Sequence, residues 1–506
     1  MITNEDIKYV IVQAGGKGTR MEHFAYNRPK CLVPVNDVPM IVNILNIYKD
    51  KQVIIIADHL ADVLETYLKT FYKRKNYTIH LTDESGTAGG LRSVTDSLPD
   101  DEPFIVTWAD LFFEKEQEFS TNQELLIALS DTFKCRWSLS ENNELVNVSS
   151  TDRGIAGFFV FKNKSNFKDI KVEKSLVRGF LTDFYPPEKI DSFYLNGCFE
   201  VGEKEKYEDL LEKKLNHRFF NEVKIVGDKV HKKCVDPNYF EVHEKEKNWY
   251  KFVNEKYSNI PKIYSFDPLV MDKIEGKHLW DVTSNKEKII TNYCDALDSL
   301  HSLGEKKSPP FECMSVYYTK SWKRVSEVFP VIKHLNQPSI KINGINCQNP
   351  IYNLDVFEDY ISGIVTDIEY NVIHGDPTFS NTLVDNNDNI WMIDPRGVFG
   401  ETPIYGDKRY DWAKLYYSAV GNYDSMNSKK FKIKLDQSGV DLEIKSSGFE
   451  EYGDFIVERS GMTKMEMELI HTSIWLSLTA YVKEDLDAVL YSFYRGCQLW
   501  TEAISN

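Results

Sequence analysis

Gln13-Ala-Gly-Gly-Lys-Gly-Thr-Arg-Met21, followed by Arg28-Pro-Lys-Cys-Leu-Val-Pro34, decides how the first part of this chain reads. The run before it, KYVIV at 8–12, is apolar and stops at the glycines, the pattern of a buried strand that ends in a turn. Gly15, Gly16 and Gly18 let the backbone approach a polyphosphate closely, with N–H groups turned toward its oxygens. Ala14 and Thr19 flank them and complete the candidate phosphate cradle. Lys17 and Arg20 add positive charge where a pyrophosphate would leave. Lys30 follows a turn fixed by Pro29 and is the candidate to reach an attacking phosphate.

Outward from this loop, Pro39–Tyr48 reads as a helix, Gln52–Ala57 as a strand, Asp62–Tyr72 as a helix, and Tyr77–Leu81 and Phe104–Trp108 as strands. Strands alternating with helices predict an α/β domain with crossover connections and a mixed, mainly parallel sheet, whose ligands bind beyond the carboxyl ends of the strands. Past residue 220 the texture changes. Val223–Val235 carries a Gly-Asp pair between two short β-rich runs, a hairpin signal, and Tyr239–Tyr257 reads as a helix. Long helical patterns dominate from Lys286, with a second strand-rich patch at Asn371–Ile393. The reading is two domains, 1–222 and 223–506, the second an α+β domain with a small β-rich lobe and a larger helical one.

The 506 residues are 42% apolar and 27% charged, with a formal charge of −16. The composition is that of a globular protein, and the acidic balance argues against nucleic acid as a partner. No run approaches the roughly 18 apolar residues that a membrane helix requires. Nor does the N-terminal stretch have the form of a signal peptide. The eight cysteines are scattered, without zinc-site spacing, and read as free thiols. These features predict a cytoplasmic protein without membrane insertion; a homo-oligomer is compatible with the sequence.

The loop and the RPK segment resemble those of the sugar-1-phosphate and phosphocholine nucleotidyltransferases, a Rossmann-like family, over roughly residues 8–215. The resemblance implies that Gly86-Thr87-Ala88-Gly89 borders the nucleobase and acceptor. It implies that Asp110, in Trp108-Ala-Asp110, binds Mg²⁺, and that Gly154–Phe161 is the acceptor-side strand. The second metal ligand in the family is Asp or Asn; here Glu200, in Phe199-Glu-Val-Gly202, has to serve. A Glu-Lys-Pro lysine found in many relatives is replaced by Ser149–Arg153, and Lys174 reads as a surface lysine. The chemistry fits these residue types, because attack of a phosphate on an α-phosphorus needs charge neutralisation and in-line placement rather than a covalent nucleophile.

A second constellation lies at His374-Gly-Asp-Pro-Thr-Phe-Ser-Asn381 and Ile393-Asp-Pro-Arg-Gly397. Its HGDxxxxN and downstream Asp have the carboxylate–amide–carboxylate division of labour of phosphoryl transfer. Asp376 would take or orient an acceptor hydroxyl's proton, with Asn381 and Asp394 as Mg²⁺ ligands on ATP. These residues resemble the aminoglycoside phosphotransferase and choline kinase superfamily over about 223–506. The resemblance makes Asp411 a brace for the catalytic loop and Lys232 or Lys233, with Lys233 preferred, the ATP-contacting lysine paired to Glu246. Leu269–Gly276 would be the hinge against adenine.

A kinase makes a phosphate monoester and a nucleotidyltransferase of this type consumes one. Together they imply a bifunctional enzyme that uses ATP, a second triphosphate (CTP or UTP favoured) and Mg²⁺. A sugar acceptor, giving a nucleotide sugar for surface polysaccharide, is preferred over choline or ethanolamine, which would give a CDP-alcohol. Choline would favour an aromatic and acidic cage, for which Tyr317, Tyr318 and Trp322 are candidates, although aromatics at that spacing also suit a core. A third reading, from a different class, makes one head a nucleotide-binding regulator without turnover.

Overall fold

The apolar run after Lys8 becomes β1 (Tyr9–Gln13), an inner strand of a nine-stranded sheet in a computed structural model that describes every residue except 85, 172–174, 214–220, 367 and 506. Lys174 thus lies outside the described residues. The chain divides into two units, Met1–Lys213 with Lys483–Asp487, and Lys214–Val482 with Ala488–Asn506. The expected boundary at 222 falls inside a strand of the second unit, and no sequence signal marked residues 483–487 as part of the first.

In the first unit β1 is followed by α1 (Met40–Ile47), β2 (Gln52–Ala57), α2 (Ala61–Phe71), β3 (Tyr77–Leu81), α3 (Gly86–Ser93) and β4 (Phe104–Trp108). β4, β1, β2 and β3 lie side by side in that order, all parallel, with Val12 opposite both Ile55 and Thr107. Then come β5 (Leu111–Phe113), β6 (Leu125–Ser130), β7 (Gly154–Phe161), β8 (Ile190–Tyr194), β9 (Cys198–Glu200) and α4 (Lys204–Lys213). β7 runs antiparallel to both β4 and β6, and β8 is parallel to β6. The sheet is mixed, as expected, but only partly parallel: the crossover helices stop after β4, and a strand can re-enter beside β4 without a crossover only antiparallel. Ile11, Ile56, Val106, Phe159 and Phe161 are buried in one cluster on this sheet with Leu91 of α3. Each such side chain contributes about 1.5–3 kcal/mol by leaving water.

The second unit opens with the expected hairpin, β10 (Asn221–Val226) and β11 (Lys229–Cys234), turning at Gly227, whose φ of 62° suits glycine. α5 (Phe240–Val253), β12 (Ile263–Phe266) and β13 (Leu269–Asp272) follow, and the antiparallel order is β10-β11-β13-β12. The remainder is mostly helical: α6 (Lys286–His301), α7 (Lys320–Glu327), α8 (Lys408–Ala419), α9 (Lys464–Leu478) and, from Ala488 onward, α10 (Leu486–Ser505). This is an α+β unit.

All eight cysteines are free and buried, and burial pushes the Cys31 thiol up to about 12. Among the described residues no helix is long and apolar enough to cross a membrane.

Candidate active sites

Because β1 and β4 are parallel neighbours, their carboxyl ends deliver the glycine loop and Asp110 to the same edge of the sheet. The Ala109 N–H donates to the Gln13 carbonyl at 3.2 Å, and the Ala14 N–H to Ile56 at 2.9 Å. Residues 14–18 form an irregular loop. Gly16 is exposed, with no atom within 4 Å of where a Cβ would sit, whereas Gly18 has φ 65° and lies against Ala25 and Lys30. The Gln13 amide donates to the Thr87 carbonyl at 2.9 Å, which ties the end of β1, just before the glycine loop, to the start of α3. The Thr87 hydroxyl in turn accepts from the Leu176 N–H at 2.9 Å.

Lys30 begins a short helical turn and donates to Asp110 Oδ2 at 2.5 Å. Arg28 is buried and ion-paired with Asp485 and, at 3.3 Å, Asp487 of the same unit, so it anchors that turn. β9 pairs antiparallel with β5, placing Glu200 opposite Leu111, and the Val201 N–H donates to the Asp110 carbonyl at 2.9 Å. The two carboxylates consequently converge on Gly202. A Cβ there would lie 2.2 Å from Glu200 Oε1 and 2.9 Å from Asp110 Oδ2. Glu200 Oε1 accepts from the Gly202 N–H at 2.8 Å, and Glu200 Oε2 pairs with Lys206. Asp110 Oδ1 is buried without a hydrogen-bond partner. Two converging carboxylates with one buried oxygen unused suit a hard divalent cation that completes its shell with phosphate and water. Among the described residues, no group of three or more His, Cys, Asp or Glu forms a metal cluster. Arg20 pairs with Glu203, whereas Lys17 is exposed on the loop.

In the second unit Asp411 of α8 holds the HGD loop, accepting from the His374 N–H at 2.7 Å and the Gly375 N–H at 2.8 Å. His374 is fully buried. Its Nδ1 accepts from the Asp376 N–H at 3.3 Å, and Nε2 faces the Ile393 carbonyl at 3.1 Å, the pattern of one neutral tautomer. Burial lowers its pKa against the pull of Asp411 and Asp376. His374 therefore supports the loop. Asp376 is gripped from two sides: Lys414 lies 2.9 Å from Oδ1, and the Asn381 amide donates to Oδ2 at 3.1 Å. That commits the Asn381 nitrogen and leaves its oxygen as a donor for a cation. The Ile393 N–H donates to the Asn381 carbonyl at 2.9 Å, which sets Asp394 beside it.

Lys232, not Lys233, makes the lysine–glutamate pair. Its ammonium lies 2.8 Å from Glu246 Oε1 and 2.8 Å from Asp394 Oδ1, while Lys233 is exposed. Successive strand residues face opposite ways, so only one of the two can face α5. Burial opposes the Lys232 charge, but Asp394 and Glu246 outweigh it and raise its pKa. Asp376, Asp394, Lys232 and Glu246 line one cavity of this unit.

Residues 10–120 match the MobA-like NTP transferase domain family. Among curated proteins, probable mannose-1-phosphate guanylyltransferases 3 and 1 of Oryza sativa subsp. japonica are 31% and 30% identical over 112 residues, 21% of this chain. The chain spans only 31% of the length of these relatives. Among solved structures, HddC from Yersinia pseudotuberculosis is 20% identical with a TM-score of 0.35, covering 41% of this chain and 99% of that one. The CTP:phosphocholine cytidylyltransferase from Streptococcus pneumoniae is likewise 20% identical, with a TM-score of 0.34 and coverage of 41% and 99%.

Within the NTP transferase region the structure brings Gly15, Gly16, Gly18, Lys30, Thr87 and Asp110 to one sheet edge, and Glu200 joins them from outside the matched residues. Sequence reasoning missed Gln13, Gly202, Lys414 and the Lys232 assignment. Gln13 and Lys414 carried no motif signal; alternation along β11 could have located Lys232 once Glu246 was placed on a helix. Of the cage candidates, Tyr317 lines the second unit's cavity and donates to Asp407 at 2.9 Å, whereas Tyr318 packs near Phe357.

Proposed function

We propose that the chain is a bifunctional enzyme. The second unit phosphorylates the hydroxyl of a small acceptor with ATP, and the first transfers a nucleotidyl group from a second triphosphate to the resulting monophosphate. The observation that carries this reading is that each unit gathers paired acidic or amide donors around a lysine: Asp110 and Glu200 beside Lys30, and Asp376, Asn381 and Asp394 beside Lys414 and Lys232.

In the kinase step the acceptor oxygen forms a bond to the γ-phosphorus of ATP, the bond to the β–γ bridging oxygen breaks, and ADP departs. Asp376 takes the hydroxyl proton, with Lys414 and Asn381 fixing its carboxylate. In the transferase step a phosphate oxygen of the acceptor attacks the α-phosphorus and pyrophosphate leaves. The glycine loop cradles the triphosphate, Lys17 lies where the leaving group carries charge, and Lys30 orients the attacking phosphate. Asp110 with Glu200, and Asn381 with Asp394, would hold Mg²⁺, which supplies charge neutralisation to the phosphates.

We assign the acceptor to the sugars and the product to the nucleotide sugars. The curated relatives are named for a sugar 1-phosphate, and the cavity beside Asp376 presents cationic side chains where choline would need acidic ones. Separation of function tests the reading. Asp110→Asn should abolish pyrophosphate release and leave ADP release intact. Asp376→Asn should do the reverse when monophosphate is supplied. Loss of both activities in either variant, with an unchanged melting curve, refutes it.

A further inference from the structure

The cavity beside Asp376 is lined by more cationic side chains than carboxylates. Lys232, Lys320, Arg324, Arg396 and Lys414 line it against three carboxylates, Glu246, Asp376 and Asp394, in a chain whose formal charge is −16. All three carboxylates are engaged with Lys232 or Lys414. Among the described residues, Lys320, Arg324 and Arg396 have no carboxylate within ion-pairing distance of 4.0 Å. Their placement is built, not incidental. Lys320 and Arg324 are one turn apart on α7 and share a face. Ser321 locks α7 to α9 through the Ser473 carbonyl at 3.1 Å, and Arg324 donates to the Ser477 carbonyl at 2.7 Å. Arg396 follows Asp394 by two residues, lines the same cavity and is solvent-exposed.

We infer that this cluster is an anion subsite of the acceptor pocket, so that the kinase substrate is a hydroxyl compound that also carries a carboxylate or phosphate group. The inference rests on the kinase reading of the second unit. Lys320 and Arg324 are half-buried like charges one turn apart, and an anion that hydrogen-bonds to them relieves their repulsion. Burial, then Arg396, Arg324 and Lys414, push the Lys320 ammonium well below its usual value, with Asp376 acting the other way. The triphosphate end of the site already has its lysine in Lys232, joined to the metal-side Asp394, whereas Lys320 and Arg324 belong to the α7–α9 wall. An acidic sugar or a sugar phosphate fits the cluster, and a quaternary ammonium alcohol is repelled by it.

The test uses the full chain with Mg²⁺ and ATP and measures ADP release with matched acceptors: glucose, glucuronate and glucose 6-phosphate, and choline, glycerate and glycerol 3-phosphate. Acceleration by anionic members over their neutral or cationic partners is the expected result, and the carboxylate and phosphate arms separate the two sources of charge. Faster release with glucose or choline overturns the inference and leaves the kinase reading standing. No acceleration by any compound overturns both. For the accepted anion, Arg324→Gln should raise KM by about tenfold or more, the cost of losing a charged hydrogen bond, with KM for ATP unchanged. Arg324→Lys should recover part of that loss. A rise in KM for ATP in place of the acceptor's assigns the cluster to the triphosphate and overturns the inference.

Discussion

Gly202→Ala isolates the pairing of Asp110 with Glu200. Gly202 has ordinary negative-φ backbone, so alanine fits its conformation. The added methyl would fall 2.2 Å from Glu200 Oε1 and 2.9 Å from Asp110 Oδ2, distances that no real contact sustains. Both atoms are side-chain tips, and the Glu200 carboxylate can swing away. Gly202 is buried, so stability should fall by about 1–3 kcal/mol, the range of an overpacked site whose neighbours can move. The carboxylate displacement is of the order of 1 Å, and a misplacement of that size costs about a hundredfold in rate. Pyrophosphate release should fall by roughly that factor and need more Mg²⁺, while ADP release by the second unit stays the same. The assay is a Mg²⁺ titration of pyrophosphate release, with the melting curve as control. Unaltered activity and Mg²⁺ response in a folded Gly202→Ala protein would refute a metal site between these residues.

Other outcomes follow from neighbouring contacts. Gly157 has φ 87°, and a Cβ there would overlap the Trp108 ring at 2.0 Å, so Gly157→Ala should displace Trp108 and, with it, Asp110; expect loss of pyrophosphate release with ADP release retained. Lys232→Met should lose ADP release by about a hundredfold or more, whereas Lys233→Met should match the parent protein in the same assay. Asp411→Asn weakens two charged hydrogen bonds under the HGD loop and should lower stability by about 2–4 kcal/mol in denaturant titrations. His374 and His471 are both buried with pKa values lowered chiefly by burial, and His471 Nε2 accepts from the Trp475 indole at 2.9 Å. The unfolded chain takes up protons near pH 6.5 that the folded chain refuses, so stability should fall as pH drops below about 6.5. Unfolding midpoints between pH 7.5 and pH 5 at about half-unit steps check this, and a flat profile contradicts it.

Much of the first unit was legible because local signals and tertiary needs agree there. β2, β3 and β4 lie where the apolar runs placed them, and the glycine loop follows β1 directly. The antiparallel entry of β7 was not legible, since its fully buried eight residues carry no alternation to reveal direction. Convergence of Glu200 on Asp110 depends on the β5–β9 pairing across most of the domain, and spacing along the chain cannot encode it. Lys414 was invisible for the same reason: it is one polar residue on a helix buried nearly throughout, and its role comes only from the loop it faces. The choice between Lys232 and Lys233 turned on one step of strand register.

Product analysis by mass spectrometry tests both sites at once. Full-length protein, Mg²⁺, ATP and the four other common triphosphates would be incubated with pooled sugars and amino alcohols, alongside the Asp376→Asn variant. The parent protein should yield a nucleotide diphospho-sugar. The variant should make it only when the sugar monophosphate is added. A product that forms from free sugar in Asp376→Asn, or a CDP-alcohol as the sole conjugate, would contradict the assignment of these two sites.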